Sequence, residues 1–222
     1  KKTKKDEYNE DVFIPEFKEF RNIGEYSSDL DLDFVHLGIH TGYELLNGSA
    51  EPEYWVDKAI FLNQKCIGLS DKNTLAATLP LQLACKKKGV KSVLGETVSV
   101  AYDYNETDDH HSLYELKFFV KNEEGWRNLL RINKAINVDY DKFIPEDEML
   151  KFTDGLICVF PLDSYFNSRI FSDDADKILK KYKKKFKIDD LYYQIDSVEF
   201  DDDSVDLDNL KRLKKYIDNF SN

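Results

Sequence analysis

The sequence predicts an α/β fold, and three observations predict it. Short apolar runs that read as strands alternate with longer stretches of helical periodicity, and glycines and prolines fall between them. Hydrophobic residues make up 41% of the 222 residues and aromatics 14%, enough to fill a sizeable core. No internal repeat is present. The alternation suggests roughly six βα units around a mainly parallel sheet or barrel.

Residues 1–30 are polar and acidic with scattered aromatics and read as an N-terminal extension, partly ordered at best; residues 31–222 read as one domain. Asp33–His36 forms the first expected strand. Pro52–Asn63 reads as a helix, with Pro52 near its start and Val56, Ala59, Ile60 and Asn63 on one side. Cys66–Leu69 is a short buried strand. Leu75–Lys88 is helical, Pro80 either kinking it or marking where its regular part begins, and Gly89 ends it. Ser92–Val100 is a strand, Asp103–Ser112 a polar loop and Leu113–Val120 a strand. Glu123–Ala135 is an amphipathic helix carrying Trp126, Leu129, Leu130 and Ile132. Gly155–Phe160 is a strand, Asp174–Lys185 a helix, Leu191–Asp196 a strand, Asp201–Asp206 an acidic loop and Leu207–Phe220 a final helix with Leu210, Leu213 and Ile217 inward.

Composition excludes several classes of function. No apolar run approaches the ~20 residues of a membrane span, and the basic start Lys1-Lys2-Thr3-Lys4-Lys5 has no apolar stretch behind it, so no secretory signal is read there. Opening on Lys1 rather than Met, the sequence is expected to be a piece of something longer. Cys66, Cys85 and Cys158 are odd in number and widely spaced, which fits reduced thiols in a cytoplasmic protein. The net charge of −11 opposes phosphate binding, so direct contact with duplex DNA is not expected. The lysines between Lys180 and Lys187 read as the solvated face of a helix, with a local nucleic-acid contact as the sharper reading. His110 and His111 sit in an acidic loop and diverge as neighbours; Asp201-Asp202-Asp203 lacks the glycine and closing Glu of a calcium loop. Trp55 and Trp126 read as core or interface residues.

The segment Phe34-Val35-His36-Leu37-Gly38-Ile39-His40-Thr41, followed by Tyr43, Leu45, Leu46, Asn47 and Gly48, resembles the opening F-V-H-L-H-V-H-[ST] … Y-S-L-L-D-G of the PHP (polymerase and histidinol phosphatase) domain at the front of bacterial DNA polymerase III alpha subunits. Ile67-Gly68-Leu69-Ser70-Asp71-Lys72 resembles that family's A-L-T-D-H. Lys86 to Lys91 with Gly95 resembles K-K-x-G-I-K-P-I-x-G. Lys121 to Leu130 resembles K-N-x-x-G-Y-x-N-L-L, and Gly155-Leu156-Ile157-Cys158 resembles G-L-I-x-L-S-G. Five collinear matches over residues 34–160 point to the polymerase branch, with a weaker fit to about 220.

The resemblance implies a distorted (β/α)7 barrel of PHP type, incomplete here if its last strand lies past Asn222. Active members hold a metal cluster at the C-terminal ends of the strands through His, Asp and Glu side chains, which makes bound water a nucleophile. Those positions fall here on Gly38, which has no side chain; His40, which can bind; Asn47 for Asp; Lys72 for His; Thr97 for Glu; and Glu115 for His, where a carboxylate remains a donor. Glu96 adjoins Thr97 but in a strand points to the opposite face. A later donor position falls on Leu162, and the closing D-x-H motif would lie beyond Asn222. Lys72 is expected to pair with Asp71, Glu96 or Glu115 in place of a metal. With only His40 retaining its identity, the expectation is a degenerate site with no catalytic residue, no metal and no cofactor. The domain is then a structural and protein-docking module of a replicative polymerase, its partners the remainder of the polymerase chain and a proofreading exonuclease subunit. The alternatives are a metal-dependent phosphoesterase or proofreading nuclease and a stand-alone phosphatase of small molecules.

Overall fold

The structure is a computed structural model. It describes residues 34–105 and 112–194 in full, together with the backbone of one strand pair nearer the N-terminus. The chain divides into two units between Asp33 and Phe34. In the first, β1 (Thr3–Lys5) pairs antiparallel with β2 (Asp11–Phe13), a hairpin within what the sequence suggests is only an extension. The acidic loop 201–206, the helix 207–220 and the histidines 110 and 111 lie outside the described residues.

In the second unit, residues 34–41 run beside the strand that follows α1. α1 (Pro52–Phe61) starts where Pro52 needs no amide partner and buries Pro52, Val56 and Ala59. It stops two residues earlier than expected, because Asn63 takes a left-handed conformation (φ 55°). Ile60, within the helix, and Asn63, beyond it, face solvent rather than the core. β3 (Cys66–Gly68) is buried. α2 (Thr78–Lys88) begins late enough to place Pro80 in its first turn, so Pro80 marks a start and not a kink. Gly89, at φ 73°, closes it.

The strand expected over Ser92–Val100 is two strands. β4 (Lys91–Val93) pairs parallel with β3, and β5 (Gly95–Ala101) pairs antiparallel with β6 (Leu113–Val120). The break is at Leu94, and Gly95 is needed after it: a Cβ there would lie 2.5 Å from the Phe118 carbonyl oxygen and 2.8 Å from that of Leu69. α3 (Glu123–Lys134) is capped by the Asn122 side chain, which accepts from the Gly125 amide at 3.0 Å. It continues into a single π turn, Ala135–Asp139, that the sequence pattern does not reveal. Next come β7 (Ile144–Pro145), α4 (Glu146–Met149), β8 (Leu156–Phe160), α5 (Tyr165–Ser168), α6 (Ala175–Lys183) and β9 (Leu191–Tyr193).

The largest sheet has the order β7-β5-β6-β8-β9. It is mixed, not mainly parallel: β6 runs antiparallel to both neighbours, while β5–β7 and β8–β9 are parallel. A parallel β5–β6 pair would need a crossover helix, and the polar connection between Ala101 and Leu113 supplies none among its described residues. Isolated parallel bridges, Ile39 to Leu69 and Lys72 to Thr97, continue the strand order toward residues 34–41. Among the described residues the sheet does not close into the expected barrel.

The described residues form two hydrophobic cores. One joins α1, α2, β3 and Ile39, with Val56, Ile67, Leu69 and Leu81 at its centre. The other lies on one face of the large sheet, where Val98, Leu116, Phe118, Phe160 and Tyr182 meet α3 and α6. Polar residues at the ends of β3, β5 and β6 lie between the two.

Candidate functional site

The opposite face of β5 and β6 builds the site. Directly paired residues of an antiparallel ladder share a face, so Thr97 with Lys117 and Ser99 with Glu115 point one way, and Val98 with Leu116 and Glu96 with Phe118 the other. The segments 38–41 and 70–73 bring His40, Thr41, Asp71 and Lys72 to the first of these faces.

Glu96 is thereby removed from the site, as the strand alternation predicts. It is fully buried on the core side, accepts from Asn133 Nδ2 at 2.7 Å, and leaves its second oxygen without a partner. Burial pushes its pKa up to about 8, against the lowering effect of Asn133.

Of the three partners considered for Lys72, the structure selects Glu115. Lys72 Nζ lies 2.5 Å from Glu115 Oε1, with side chains 37% and 23% exposed. Asp163, which sequence reasoning missed although Leu162 was singled out, joins this pair. Its carbonyl accepts from the Glu115 amide at 2.8 Å. Burial raises its carboxyl pKa, Glu115 raises it further, and Lys72 opposes both. Leu162 itself is exposed.

Asp71 is committed elsewhere. Its Oδ1 accepts from the Thr41 amide at 2.5 Å and its Oδ2 from the Thr41 hydroxyl at 2.7 Å. Burial raises its pKa against those two donors. His40 Nδ1 lies 2.5 Å from Glu44 Oε2, and the same oxygen accepts from the Lys72 amide at 2.8 Å. Glu44 was not singled out in the sequence; its place four residues after His40 is the signal that could have found it. Thr97 is buried and satisfied, donating to the Ser70 carbonyl at 2.8 Å and accepting from the Ser70 hydroxyl at 2.7 Å. Asn47 is exposed on the turn, apart from these bonds. Gly38 is exposed, and a Cβ built on it would lie 3.5 Å from the ammonium of Lys117, a second cation unanticipated from sequence.

His40, Glu44 and Asp71 offer ligand atoms within 4.8 Å of one another, so three donors for a single ion remain. The polynuclear cluster implied by the resemblance does not fit. Two ammonium groups, those of Lys72 and Lys117, stand at or beside ligand positions and repel divalent ions in a partly desolvated site. Thr97 turns its hydroxyl to Ser70. No helix among the described residues is long and apolar enough to cross a membrane.

The PHP domain family matches residues 36–197, well over half of the chain's length, and the chain belongs to that family. Among curated proteins it resembles the DNA polymerase III subunit alpha of Treponema pallidum, 28% identical over 175 residues covering 74% of this chain and 15% of that one. The Aquifex aeolicus subunit is 28% identical over 204 residues, covering 84% and 17%. The chain thus spans about a sixth of the length of these relatives, and the match is to one domain of a larger polymerase. A solved amidohydrolase from Chromobacterium violaceum overlaps at a TM-score of 0.36 and 17% identity, over 46% of this chain and 32% of that one, too little to bear on function.

Proposed function

We propose that this chain is a PHP domain without metal-dependent catalysis, serving a bacterial DNA polymerase III alpha-like enzyme as a structural and protein-docking module in the cytoplasm. The observation that carries this reading is the Lys72–Glu115 ion pair, in which the protein's own cation stands at a position the family gives to a metal ligand. The partners are the remainder of a polymerase chain and a proofreading exonuclease subunit, for which an acidic domain suits protein contact better than DNA contact.

The His40–Glu44–Asp71 group favours a second reading, a phosphoesterase or proofreading nuclease working with one ion. Elemental analysis of the purified chain, with hydrolysis of p-nitrophenyl phosphate and of single-stranded DNA assayed with added Mn²⁺ or Zn²⁺, separates the two. The docking module contains no stoichiometric metal and hydrolyses neither substrate. A stoichiometric metal, or a hydrolytic activity abolished by His40→Ala, would overturn the docking reading in favour of the enzyme.

A further inference from the structure

α1 and α2 pack on one core, and each turns a second face to solvent. α1 buries Val56 and Ala59 in that core, and α2 buries Leu81 and Cys85. On the opposite side of α1, Tyr54, Lys58 and Phe61 follow at i, i+4 and i+7; on α2, Leu79, Leu83 and Lys86 do the same. Four of these six are large apolar side chains left in water: Tyr54 is 73% exposed, Phe61 69%, Leu79 61% and Leu83 58%. A single exposed leucine needs no explanation, but two such stripes on packed helices form a patch. The helices are tied together beside it, with Lys88 Nζ 2.6 Å from Asp57 Oδ1 and 3.2 Å from Glu53 Oε1.

The charge of this face is opposite to that of the chain. From Glu51 to Lys91, leaving aside Asp71 and Lys72 at the site, six lysines stand against three carboxylates, in a chain of net charge −11. Two of those carboxylates, Glu53 and Asp57, are taken by Lys87 and Lys88. Lys58 and Lys86, within the stripes, have no carboxylate partner among the described residues; Lys58 Nζ lies 4.9 Å from the centre of the Phe61 ring. Apolar side chains at helical spacing beside cations are matched by a helix whose apolar stripe is flanked by carboxylates. A lipid surface or a nucleic acid could also meet cations and apolar groups, but both are extended polyanions that the charge of the whole chain repels. One acidic helix is small enough to meet this face alone.

We propose that the outer face of α1 and α2 docks an acidic amphipathic helix of a partner protein, its apolar side chains on Tyr54, Phe61, Leu79 and Leu83 and its carboxylates on Lys58 and Lys86. This rests on the docking reading above and gives it a surface and a partner chemistry. None of the six residues takes part in the site, so variants here leave its groups in place.

The probe is a synthetic amphipathic helix of about 15 residues, with Leu at i, i+4 and i+7 flanked by Glu, and a Lys-flanked counterpart with the same apolar pattern. Each is titrated into the intact chain and followed by amide-resolved NMR. The Glu-flanked peptide should shift α1 and α2 amides and bind roughly tenfold or more tightly than the Lys-flanked one at low salt. L79Q/L83Q should weaken it roughly tenfold or more. K58E/K86E should invert the preference between the two peptides. No shift at about 1 mM peptide, equal binding of both peptides, or shifts confined to other elements overturns the proposal. So does tighter binding, lost in L79Q/L83Q, to vesicles containing phosphatidylglycerol or to single-stranded DNA, which would make the face a membrane or nucleic-acid surface. The docking reading fails separately: a stoichiometric metal in a chain that binds the Glu-flanked peptide sinks that reading and leaves this face standing, and a metal-free chain that ignores the peptide does the reverse.

Discussion

Replacing Lys72 by Ala removes the cation from a group that includes Glu115 and Asp163. The pair is 2.5 Å long and its side chains are 37% and 23% exposed, between the two limits for ion pairs. Breaking a buried pair costs about 3–5 kcal/mol, and an exposed one contributes about 0.2–1 kcal/mol. Asp163 adds to the loss, because its repulsion by Glu115 is then no longer opposed by the charge of Lys72. Solvent screening keeps the total near 1–2 kcal/mol. For a domain of this size, 1 kcal/mol moves the thermal midpoint by about 2–4 °C, so Lys72→Ala should melt about 2–8 °C below wild type. Circular dichroism melts at low and high salt measure this, with salt narrowing the gap. The double variant Lys72→Met, Glu115→Gln should recover part of the loss, since it leaves no unpaired charge at the pair itself. A midpoint for Lys72→Ala that matches wild type would show that Lys72 is energetically a surface residue and that the ion pair does not hold the site. Lys72→His alone should create no metal-dependent rise in the midpoint, because Gly38, Asn47 and Thr97 remain deficient.

Glu96, with a folded pKa raised to about 8 against an ordinary value of 4.5, holds its proton in the folded state over a range where the unfolded chain has lost it. Stability therefore falls as pH rises from about 4.5 toward 8, and Glu96→Gln should flatten that part of the curve; denaturant unfolding at pH 5 and pH 8 checks it, and equal slopes for both proteins would refute it. Gly125→Ala should destabilise by at least about 1–3 kcal/mol, because the added Cβ would lie 1.9 Å from the Gly155 carbonyl oxygen, and Gly155 itself needs its positive φ of 74°. Denaturant titration measures this loss. Wild type should bind duplex DNA no more tightly than the ~10⁻⁴–10⁻⁶ M of non-specific binders at physiological salt; a gel-shift dissociation constant below that range would contradict it.

Much of this architecture is legible in the sequence, for identifiable reasons. β6 and α6 follow apolar periodicity undisturbed by neighbours, and Gly89 ends α2 because the left-handed cap needs it. The opposite facing of Glu96 and Thr97 follows from strand alternation alone. The departures arise where pairing partners decide. Whether residues 92–100 form one strand or two depends on β3 and β6 claiming different parts of them. The direction of β6 depends on a loop whose composition does not reveal that its described residues form no crossover helix. At the site, the positions at Gly38, His40, Asn47, Lys72, Thr97 and Glu115 were found by resemblance, and all but Asn47 come to the site face. Glu44, Lys117 and Asp163 were not found, because they take part through proximity in space and match no motif position. Lys72 had three plausible partners in sequence and one in space, since Asp71 is taken by Thr41 and Glu96 faces the core.

The two hydrophobic cores are joined at the site mainly by polar contacts: Lys72 to Glu115, Thr97 to Ser70, the Thr97 amide to the Asp71 carbonyl, and the Asn73 side chain to Ser99 and to the Lys142 carbonyl. Parting the cores along this seam would break these hydrogen bonds and one ion pair and would separate Leu75 from the larger core. Such an opening depends more weakly on denaturant than global unfolding does. Amide exchange should therefore show the segment from Ile39 to Val93 opening as a unit below the free energy of global unfolding, while β6 and β8 exchange only with the whole. Any protein that binds across the seam fastens the two halves together and suppresses this opening, whereas one that binds either half alone does not.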